Sequence, residues 1–280
     1  MVKKIVFGNF KGGVGKTTNS VMFSYELAKQ GISVLLCDLD PQANSTQLLN
    51  RTYTKQNNEK LTFEKTMMVA IQEENLDSAI VEVMDNLYLL PSHKDFVDYP
   101  DFLEIKFPIT QLNYKENRIA YFDSLLKSIE DNYDLIIIDC PPTISKFTDS
   151  AIYSSDFIII VLQTQQRSLD GAGAFWEYAQ TFYDNYSSVD FDIAGILPVL
   201  MKNDSAIDNQ IIVDAIESFG TDNVFDHIVK HSDRLKRYDR EGISDKDFTE
   251  KWDYHDTKLH TLYTEIADEM LTKIGGVNNG

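Results

Sequence analysis

The chain has 280 residues, enough for one large α/β domain or two small ones with a substantial hydrophobic core. Hydrophobic residues make up 43% of it and charged residues 25%, which excludes a mainly disordered, collagen-like or fibrous protein. Its 44 acidic and 26 basic residues give a formal net charge of −18. This charge excludes a general polyanion binder, so any contact with nucleic acid must come from a local basic patch.

Two features predict the compartment. Cys37 and Cys140 lie within apolar runs, which argues against a secreted disulfide scaffold and favours a reducing cytoplasm. No run approaches the roughly 18 apolar residues of a membrane-spanning helix, and the N-terminus leads into a glycine-rich turn rather than a signal-peptide cleavage site. We therefore expect a soluble, cytoplasmic protein that does not bind membranes.

Strand and helix patterns alternate along the chain. Strands are predicted at 5–8, 33–38, 135–139, 157–162 and 193–198, and helices near 15–30, 116–131, 168–186, 205–219 and 257–274. This alternation predicts an α/β fold with a doubly wound, mostly parallel sheet flanked by helices. Residues 50–115 are the hardest to interpret, with a helix-like run at 63–72 and a short strand candidate at 86–90. We expect a single domain over 1–280, with an elaborated region at about 50–115 and a helical C-terminal end.

The segment 10–18, between the first strand and the first helix, reads Phe-Lys-Gly-Gly-Val-Gly-Lys-Thr-Thr. Glycines allow positive φ and a close approach of the backbone to an anion, and the helix N-terminus favours negative charge. Phe10 stands where the common phosphate-loop pattern has its first glycine. We predict that this loop binds nucleotide phosphates through Gly12, Gly13, Val14, Gly15, Lys16, Thr17 and Thr18. Lys16 would reach the β- and γ-phosphates, Thr17 would coordinate Mg²⁺, and Thr18 would contact the α-phosphate.

Carboxylates follow two of the predicted strands. Asp38 and Asp40 leave the second strand on the same side of the chain, where one can shape the Mg²⁺ shell and the other can orient or deprotonate a water. Asp139 ends the apolar strand Leu-Ile-Ile-Ile-Asp and is predicted to hold Mg²⁺ directly or through a water. We therefore predict a metal site formed by Thr17, Asp38 and Asp139.

The segment 230–240 holds five basic residues against two aspartates, a local charge of +3. A surface that follows a nucleic-acid backbone needs such a local excess, although a solvated helix face paired with nearby acids would look the same in the sequence. The residues predicted to contact DNA are Lys230, Arg234, Lys236, Arg237 and Arg240.

The three motifs together resemble the ParA/MinD family, the deviant Walker P-loop ATPases, and within it the ParA-type DNA-partition ATPases most. The resemblance rests on the loop 11–18, on Asp-Leu-Asp-Pro-Gln at 38–42 as switch I and on Asp-Cys-Pro-Pro at 139–142 as switch II. The segment 262–271 is also similar to the family's last helix. The resemblance covers most of the chain and is weakest at 50–115.

Several functional expectations follow from this resemblance. It implies a P-loop NTPase-like fold, with ATP and Mg²⁺ as cofactors. Lys11 would cross to the nucleotide of a partner subunit, Lys16 and Lys11 would act in catalysis, and Asp40 would position the hydrolytic water. The segment after the strand at 193–198 would form the base pocket through Met201 and Asn203. In the ATP state the protein would be a homodimer that binds DNA without sequence preference, and a ParB-like centromere-binding partner would stimulate slow hydrolysis. The protein would associate with the nucleoid and partition a plasmid or a chromosome.

Three alternatives remain open at this point. A MinD-like membrane-associated division-site ATPase needs a basic amphipathic C-terminal helix, whereas residues 274–280 are small and polar. An electron-transfer protein similar to the nitrogenase iron protein needs cluster cysteines at a dimer interface, and Cys37 and Cys140 are an unsuitable pair. A nucleotide-controlled regulator that reads a DNA sequence would need a helix-turn-helix, and none precedes the first strand.

Overall fold

One mixed sheet organises the residues that the computed structural model describes, which are 2–202, 205–247 and 252–277. Its eight strands are β1 (Lys3–Gly8), β2 (Val34–Asp38), β3 (Val81–Met84), β4 (Leu87–Leu90), β5 (Leu135–Asp139), β6 (Phe157–Gln163), β7 (Asp192–Met201) and β8 (Val229–Lys230). They pair in the order β3-β4-β2-β5-β1-β6-β7-β8. Every neighbouring pair is parallel except β3 and β4, which form an antiparallel edge.

Helices cover both faces of this sheet. Within the described ranges they are α1 (Lys16–Lys29), α2 (Asn44–Asn57), α3 (Met67–Gln72), α4 (Tyr99–Lys106), α5 (Tyr114–Leu126), α6 (Lys146–Tyr153), α7 (Gln166–Asn185), α8 (Ala206–Phe219), α9 (Asp233–Glu241) and α10 (Tyr254–Lys273). Helices α1, α2, α9 and α10 pack on one face, and α3 to α8 pack on the other.

The alternation of side chains along each strand divides the core into two layers. In β1, Val6 packs in one layer while Ile5 and Phe7 pack in the other. In β5, Ile136 and Ile137 divide in the same way. Because both faces of the sheet are covered, its central strands are apolar at almost every position.

The predicted α/β fold with a mostly parallel sheet is confirmed, and the five predicted strands correspond to β1, β2, β5, β6 and β7. Helices α2, α4, α6 and α9 and strands β3 and β8 were not predicted from the sequence. Helices α4 and α6 have eight residues each, too few to establish a helical period. Helix α2 buries only two large apolar side chains, Leu48 and Leu49, so its apolar stripe is narrow.

The strand order determines where a site can form. Strands β2, β5 and β1 are adjacent, so their carboxyl ends bring Asp38, Asp139 and the loop after Gly8 to one edge of the sheet. In the part of the chain that is described, no helix is both long enough and apolar enough to cross a membrane.

Candidate nucleotide site

The loop between β1 and α1 has the backbone geometry of an anion cradle. Gly13 and Gly15 take positive φ angles of 74° and 93°, a region that glycine enters without steric cost. Val14 between them is fully buried and anchors the loop in the core. Because α1 begins directly after Gly15, the free N–H groups and the positive end of the helix dipole lie at this loop.

Lys16 is the first residue of α1 and is only 6% exposed. Its Nζ donates a hydrogen bond of 3.1 Å to the carbonyl oxygen of Asn9, so the ammonium lies across the loop. Burial lowers the pKa of Lys16. A cation that has lost much of its hydration gains strongly from an anion placed beside it.

Phe10 fixes the loop to α7. Its ring makes edge-to-face contacts with Phe175 and Tyr178, with centroids 4.9 Å and 5.3 Å away. Gly8, at the end of β1, makes this packing possible, because a Cβ there would lie 2.2 Å from the Phe175 ring. The aromatic side chain in place of the usual glycine therefore serves as an anchor, and the loop geometry is retained.

Lys11 lies at the outer end of the loop. Its backbone N–H donates to Asn9 Oδ1 at 2.7 Å, and Asn9 Nδ2 in turn donates to the carbonyl oxygen of Val161 at 2.8 Å. The side chain of Lys11 is half-buried and makes no ion pair within the described residues. The backbone of Lys11 is thus fixed, while its ammonium group remains available to bind an anion.

Asp139 has the properties of a ligand for a divalent cation. It is 1% exposed, and its Oδ2 accepts a hydrogen bond of 2.6 Å from Ser45 Oγ. Its Oδ1 is buried and has no hydrogen-bond partner in the described structure. Burial raises the pKa of Asp139 to about 6, against hydrogen bonding from Ser45 and Thr17. An orphaned carboxylate oxygen beside the Thr17 hydroxyl fits Mg²⁺, which proteins usually bind through one or two oxygens together with substrate phosphates.

No group of three or more His, Cys, Asp and Glu in the described ranges could hold a metal ion by itself. A cation at Asp139 would therefore depend on oxygens from a bound ligand, as a magnesium nucleotide provides.

Asp38 is placed differently from Asp139. It is fully buried, and its Oδ2 accepts hydrogen bonds from the Thr46 backbone N–H at 2.9 Å and from Thr46 Oγ1 at 2.7 Å. Its Oδ1 accepts one from the Asp40 N–H at 3.2 Å. Burial, together with the neighbouring Asp139, raises the pKa of Asp38. Both oxygens are thus engaged in fixing the segment 40–46, and direct metal binding by Asp38 would compete with these bonds.

Asp40 faces an open cavity of about 540 Å³ at the edge of the sheet. It is 9% exposed, and its Oδ1 accepts a hydrogen bond of 2.9 Å from the Gln42 N–H. The predicted loop residues Gly13, Gly15, Lys16, Thr17 and Thr18 border the same cavity, together with Gln42, Asn44, Leu48, Arg51, Cys140, Pro142 and Asp239. The loop and both switch segments therefore meet at one space.

Helix α9 forms a wall of this cavity through Asp239, which was not predicted from the sequence. Thr18 Oγ1 donates to Asp239 Oδ1 at 3.1 Å, and Arg51 Nη1 on α2 donates to the Asp239 carbonyl oxygen at 2.6 Å. Burial raises the pKa of Asp239, against hydrogen bonding from Thr18. Asp239 lies within the basic segment 230–240. In the sequence analysis it counted only as one of the two aspartates that reduce the local charge of that segment.

The two residues predicted for the base pocket are not in this wall. Met201 ends β7, and its carbonyl oxygen accepts a hydrogen bond of 2.8 Å from the His231 N–H. It does not border the described cavity. Asn203 lies outside the described residues.

Three of the five predicted DNA-binding residues pair with carboxylates on their own helix or a neighbouring one. Arg234 forms ion pairs with Asp253 and with the fully buried Asp256, 3.3 Å from the latter. Lys236 pairs with Asp233 at 3.3 Å, one turn away on α9. The geometry gives Arg234 a structural role in joining α9 to the start of α10.

The third ion-paired residue is Arg237, whereas Lys230 and Arg240 have different surroundings. Lys230 is exposed at the end of β8, and Arg237 pairs with Glu241 at 3.0 Å. Arg240 borders a groove of about 510 Å³ between α2 and α9, which Glu241 also borders. That groove brings Arg240 together with three cations that the sequence analysis did not select, Arg51, Lys55 and Lys60. We call this surface the α2–α9 groove.

Comparison with known proteins identifies relatives over most of the chain. A family model described as an AAA domain matches residues 2–193. The chromosome-partitioning ATPase Soj of Treponema pallidum is 25% identical over 243 residues, which cover 87% of this chain and 88% of that protein.

Solved structures of similar fold include nucleotide complexes. An ATP complex of a McdA variant from Cyanothece has a TM-score of 0.78 and 19% identity, covering 100% of this chain and 98% of that one. Cobyrinic acid a,c-diamide synthase of Mycobacterium smegmatis with ADP and magnesium has a TM-score of 0.74 and 20% identity, covering 100% of both chains. At this level of identity the likeness establishes the fold.

Proposed function

The chain belongs to the AAA domain family and is a ParA-type ATPase, and from this premise we propose that it uses Mg²⁺-ATP to partition DNA. The observation that carries the proposal is that the phosphate loop, Asp40 and Cys140, the residue after Asp139, border one cavity. The proposal combines nucleotide binding, dimer formation and DNA binding.

The triphosphate lies on the loop at the start of α1. Lys16 reaches the β- and γ-phosphates, the N–H groups of 12–17 bind phosphate oxygens, and Thr18 contacts the α-phosphate. Thr17 and Asp139 would hold Mg²⁺, and the cation would supply positive charge against the charge that develops on the phosphates. The ATP and ADP complexes of proteins with this fold support the assignment.

Hydrolysis follows in-line attack of a water on the γ-phosphorus. The bond from this phosphorus to the oxygen of the β-phosphate breaks, and ADP and orthophosphate are the products. Asp40 is the carboxylate that orients the attacking water, because it faces the cavity and one of its oxygens is already fixed by the Gln42 N–H. Asp38 fixes the backbone of Asp40, because it accepts a hydrogen bond from the Asp40 N–H.

A second subunit completes the site. Lys11, fixed at its backbone and unpaired at its side chain within the described residues, reaches the phosphates of the partner's nucleotide in an ATP-bound homodimer. A cation supplied in trans stabilises transition-state charge as an arginine finger does. Sizing by light scattering tests this step: the parent should dimerise with a slowly hydrolysed ATP analogue but not with ADP, and Lys11→Ala should stay monomeric with both.

DNA is bound through its phosphate backbone, without sequence preference. The cations of the α2–α9 groove and the exposed Lys230 are the best-supported contacts, because they oppose the −18 charge of the whole chain. Each dimer presents this surface twice, which raises avidity. A centromere-bound partner protein stimulates hydrolysis and so releases the dimer, and the protein is associated with the nucleoid in the ATP state.

The membrane-binding alternative is disfavoured by the packing of α10. Its large apolar side chains Leu259, Tyr263, Ile266 and Met270 are buried against the rest of the protein. A membrane-surface helix needs such a face free.

Two measurements test the proposed function. Calorimetry with Mg²⁺ and adenine nucleotides should detect binding to the parent but not to Lys16→Ala. DNA retention across a salt series should be strong with ATP, weak with ADP and weak without nucleotide. Retention that does not depend on the nucleotide would contradict the proposal.

A further inference from the structure

A second cavity lies behind the segment that walls the nucleotide site. Its volume is about 280 Å³, and Pro41, Gln42 and Ala43 form one side of it. The other sides come from α2, from the segment before α3 and from the segment after β4. Gln42 borders both cavities, so the segment 40–43 is the partition between them. We call this space the switch I cavity.

The lining of the switch I cavity includes both apolar and basic side chains. Phe63, Pro41 and Pro91 provide the apolar surface. Lys65 and Lys94 border it, and Lys65 is ion-paired with Glu73. No carboxylate is among the described residues that border the cavity, although Asp95 contacts two of them, Thr66 and His93. Lys94 is exposed and makes no ion pair within those residues. Lys94 is therefore the bordering lysine whose charge is not paired among those residues, and it favours an anionic ligand.

One wall also contains a polar group without a partner. Ser92 borders the cavity and is 4% exposed, and its Oγ is buried without a hydrogen-bond partner in the described structure. Buried hydroxyl groups are nearly always hydrogen-bonded, so an orphaned one marks a place where a ligand or a water belongs. A hydroxyl can donate to a carboxylate oxygen.

Hydrogen bonds connect this wall to the nucleotide site. The Ser92 N–H donates to Thr46 Oγ1 at 2.9 Å, Thr46 Oγ1 donates to Asp38 Oδ2 at 2.7 Å, and Asp38 Oδ1 accepts the Asp40 N–H. The partition also contains Ala43 in the left-handed region, with φ of 55°. A non-glycine residue there is strained, and such a conformation persists only when the surrounding structure holds it.

We propose that the switch I cavity binds a compact organic acid, and that its occupancy changes the rate of ATP hydrolysis. The apolar body of the ligand packs against Phe63, Pro41 and Pro91, and its carboxylate accepts hydrogen bonds from Lys94 and Ser92. Occupancy fixes the partition and thereby the position of Asp40. The effect on turnover rests on the proposed ATPase function, whereas the binding of the acid does not.

Binding is tested with the full chain and small probes. Phenylacetate, 3-phenylpropionate and 4-methylpentanoate are each compared with the corresponding amide by ligand-observed NMR titration. At least one acid should bind about tenfold more tightly than its amide, and Lys94→Glu should weaken it by a similar factor, because a charge-assisted hydrogen bond is lost. The matched variant Lys115→Glu, on the exposed surface of α5, should bind like the parent. Equal binding of every acid and its amide, or no effect of Lys94→Glu, would overturn the proposal.

The link to turnover is tested by covalent occupancy. Cys37 and Cys140 are buried, and burial raises the pKa of both thiols, so an introduced Cys at position 94 is the reactive one. Labelling Lys94→Cys with benzyl methanethiosulfonate should change ATP turnover about fivefold, as expected for a typical coupling free energy. The methyl reagent, and the benzyl reagent on Lys115→Cys, should leave turnover unchanged.

The two proposals fail in different ways. An unlabelled protein that does not hydrolyse ATP would contradict the proposed function and leave the acid-binding result to stand by itself. If the protein hydrolyses ATP and the benzyl group at position 94 does not change the rate, the proposed coupling between the two cavities is wrong.

Discussion

Three neighbouring carboxylates show how the environment of a single residue decides its role. Asp38, Asp40 and Asp139 all lie at or just beyond the ends of adjacent strands. Asp139 keeps a buried oxygen without a partner, Asp38 uses both oxygens to fix the segment 40–46, and Asp40 faces the open cavity. Strand alternation places Asp38 and Asp40 on the same side of the chain, so this pattern by itself does not separate their roles.

The position of Asp40 leads to a prediction for hydrolysis. Asp40→Ala should reduce ATP turnover by about a hundredfold or more, because a positioned group at the attacking water typically contributes at least this factor. Nucleotide binding should persist, since Lys16 and the loop are unchanged, and the ATP-bound dimer should accumulate. Single-turnover kinetics and calorimetry measure the two effects, with the exposed Asp101→Ala on α4 as the matched control. Equal turnover in Asp40→Ala and the parent would rule out this role.

Contacts between elements hold the phosphate loop in place. Helix α7 packs Phe175 against Phe10 and over Gly8, so the end of β1 and the loop are positioned by a helix far along the chain. On the other face, α10 packs along α1 through Tyr263, which donates a hydrogen bond of 2.9 Å to Asn19 Oδ1. The geometry of the site therefore depends on both layers.

Gly8 tests the contact between β1 and α7. Gly8→Ala should lower the free energy of unfolding by about 1–3 kcal/mol, because the added Cβ overpacks the space that the Phe175 ring fills. Phe175→Leu should restore part of this loss in the double variant. Gly173→Ala, on α7 with nothing within 4 Å of the new Cβ, should instead be neutral or stabilising by up to about 1 kcal/mol. Urea denaturation of the parent and the four variants measures these changes, and a purely additive double variant would argue against the contact.

His260 tests the contact between α1 and α10. Its Nδ1 lies against the Glu26 carboxylate, and its Nε2 lies 2.8 Å from the Ser244 carbonyl oxygen. Burial opposes the charge of the ring, but the bonds to Glu26 and Ser244 outweigh it and raise the pKa of His260 above its ordinary value. The stabilisation is thus fully present below the unfolded pKa near 6.5 and is lost as the pH rises through the folded pKa.

The free energy of unfolding should therefore fall by about 1–2 kcal/mol between pH 6 and pH 9, the range of a hydrogen bond to a charged group. His260→Gln should remove most of this dependence, whereas His255→Gln, at an exposed position on the same helix, should keep it. Urea denaturation at a series of pH values measures the slopes. A parallel pH profile for the parent and His260→Gln would contradict the role of His260.

At the scale of the whole molecule, the distribution of charge matters more than its sum. The chain carries −18, yet Arg51, Lys55, Lys60 and Arg240 collect in the α2–α9 groove beside the nucleotide cavity. Arg51 borders both spaces. A bound nucleotide and a bound nucleic acid would thus share one side chain, which offers a direct route for coupling between them.

The groove predicts a specific salt dependence of DNA binding. Lys60→Ala with Arg240→Ala should lower the slope of log affinity against log salt by about two, since each lost phosphate contact removes about one. Nucleotide binding should be unchanged, because neither residue borders the nucleotide cavity. Lys115→Ala with Lys127→Ala removes the same charge on the far side of the sheet and should leave the slope unaltered. An equal loss in both double variants would indicate that only net charge matters.

The sequence by itself determined the fold class and the local parts of the site, since glycine spacing, strand alternation and an apolar strand ending in Asp139 act over a few residues. Only the tertiary structure decided which distant residues meet there. Asp239 lies 221 positions from Thr18, and Lys60 and Arg240 come together only because α2 packs against α9. The basic segment 230–240 is predicted to bind DNA from its composition. In the structure its residues have different surroundings, because Arg234 forms ion pairs whereas Arg240 borders the α2–α9 groove. The physical reason is that charge pairing and cavity walls depend on contacts between elements, which no short window of sequence contains.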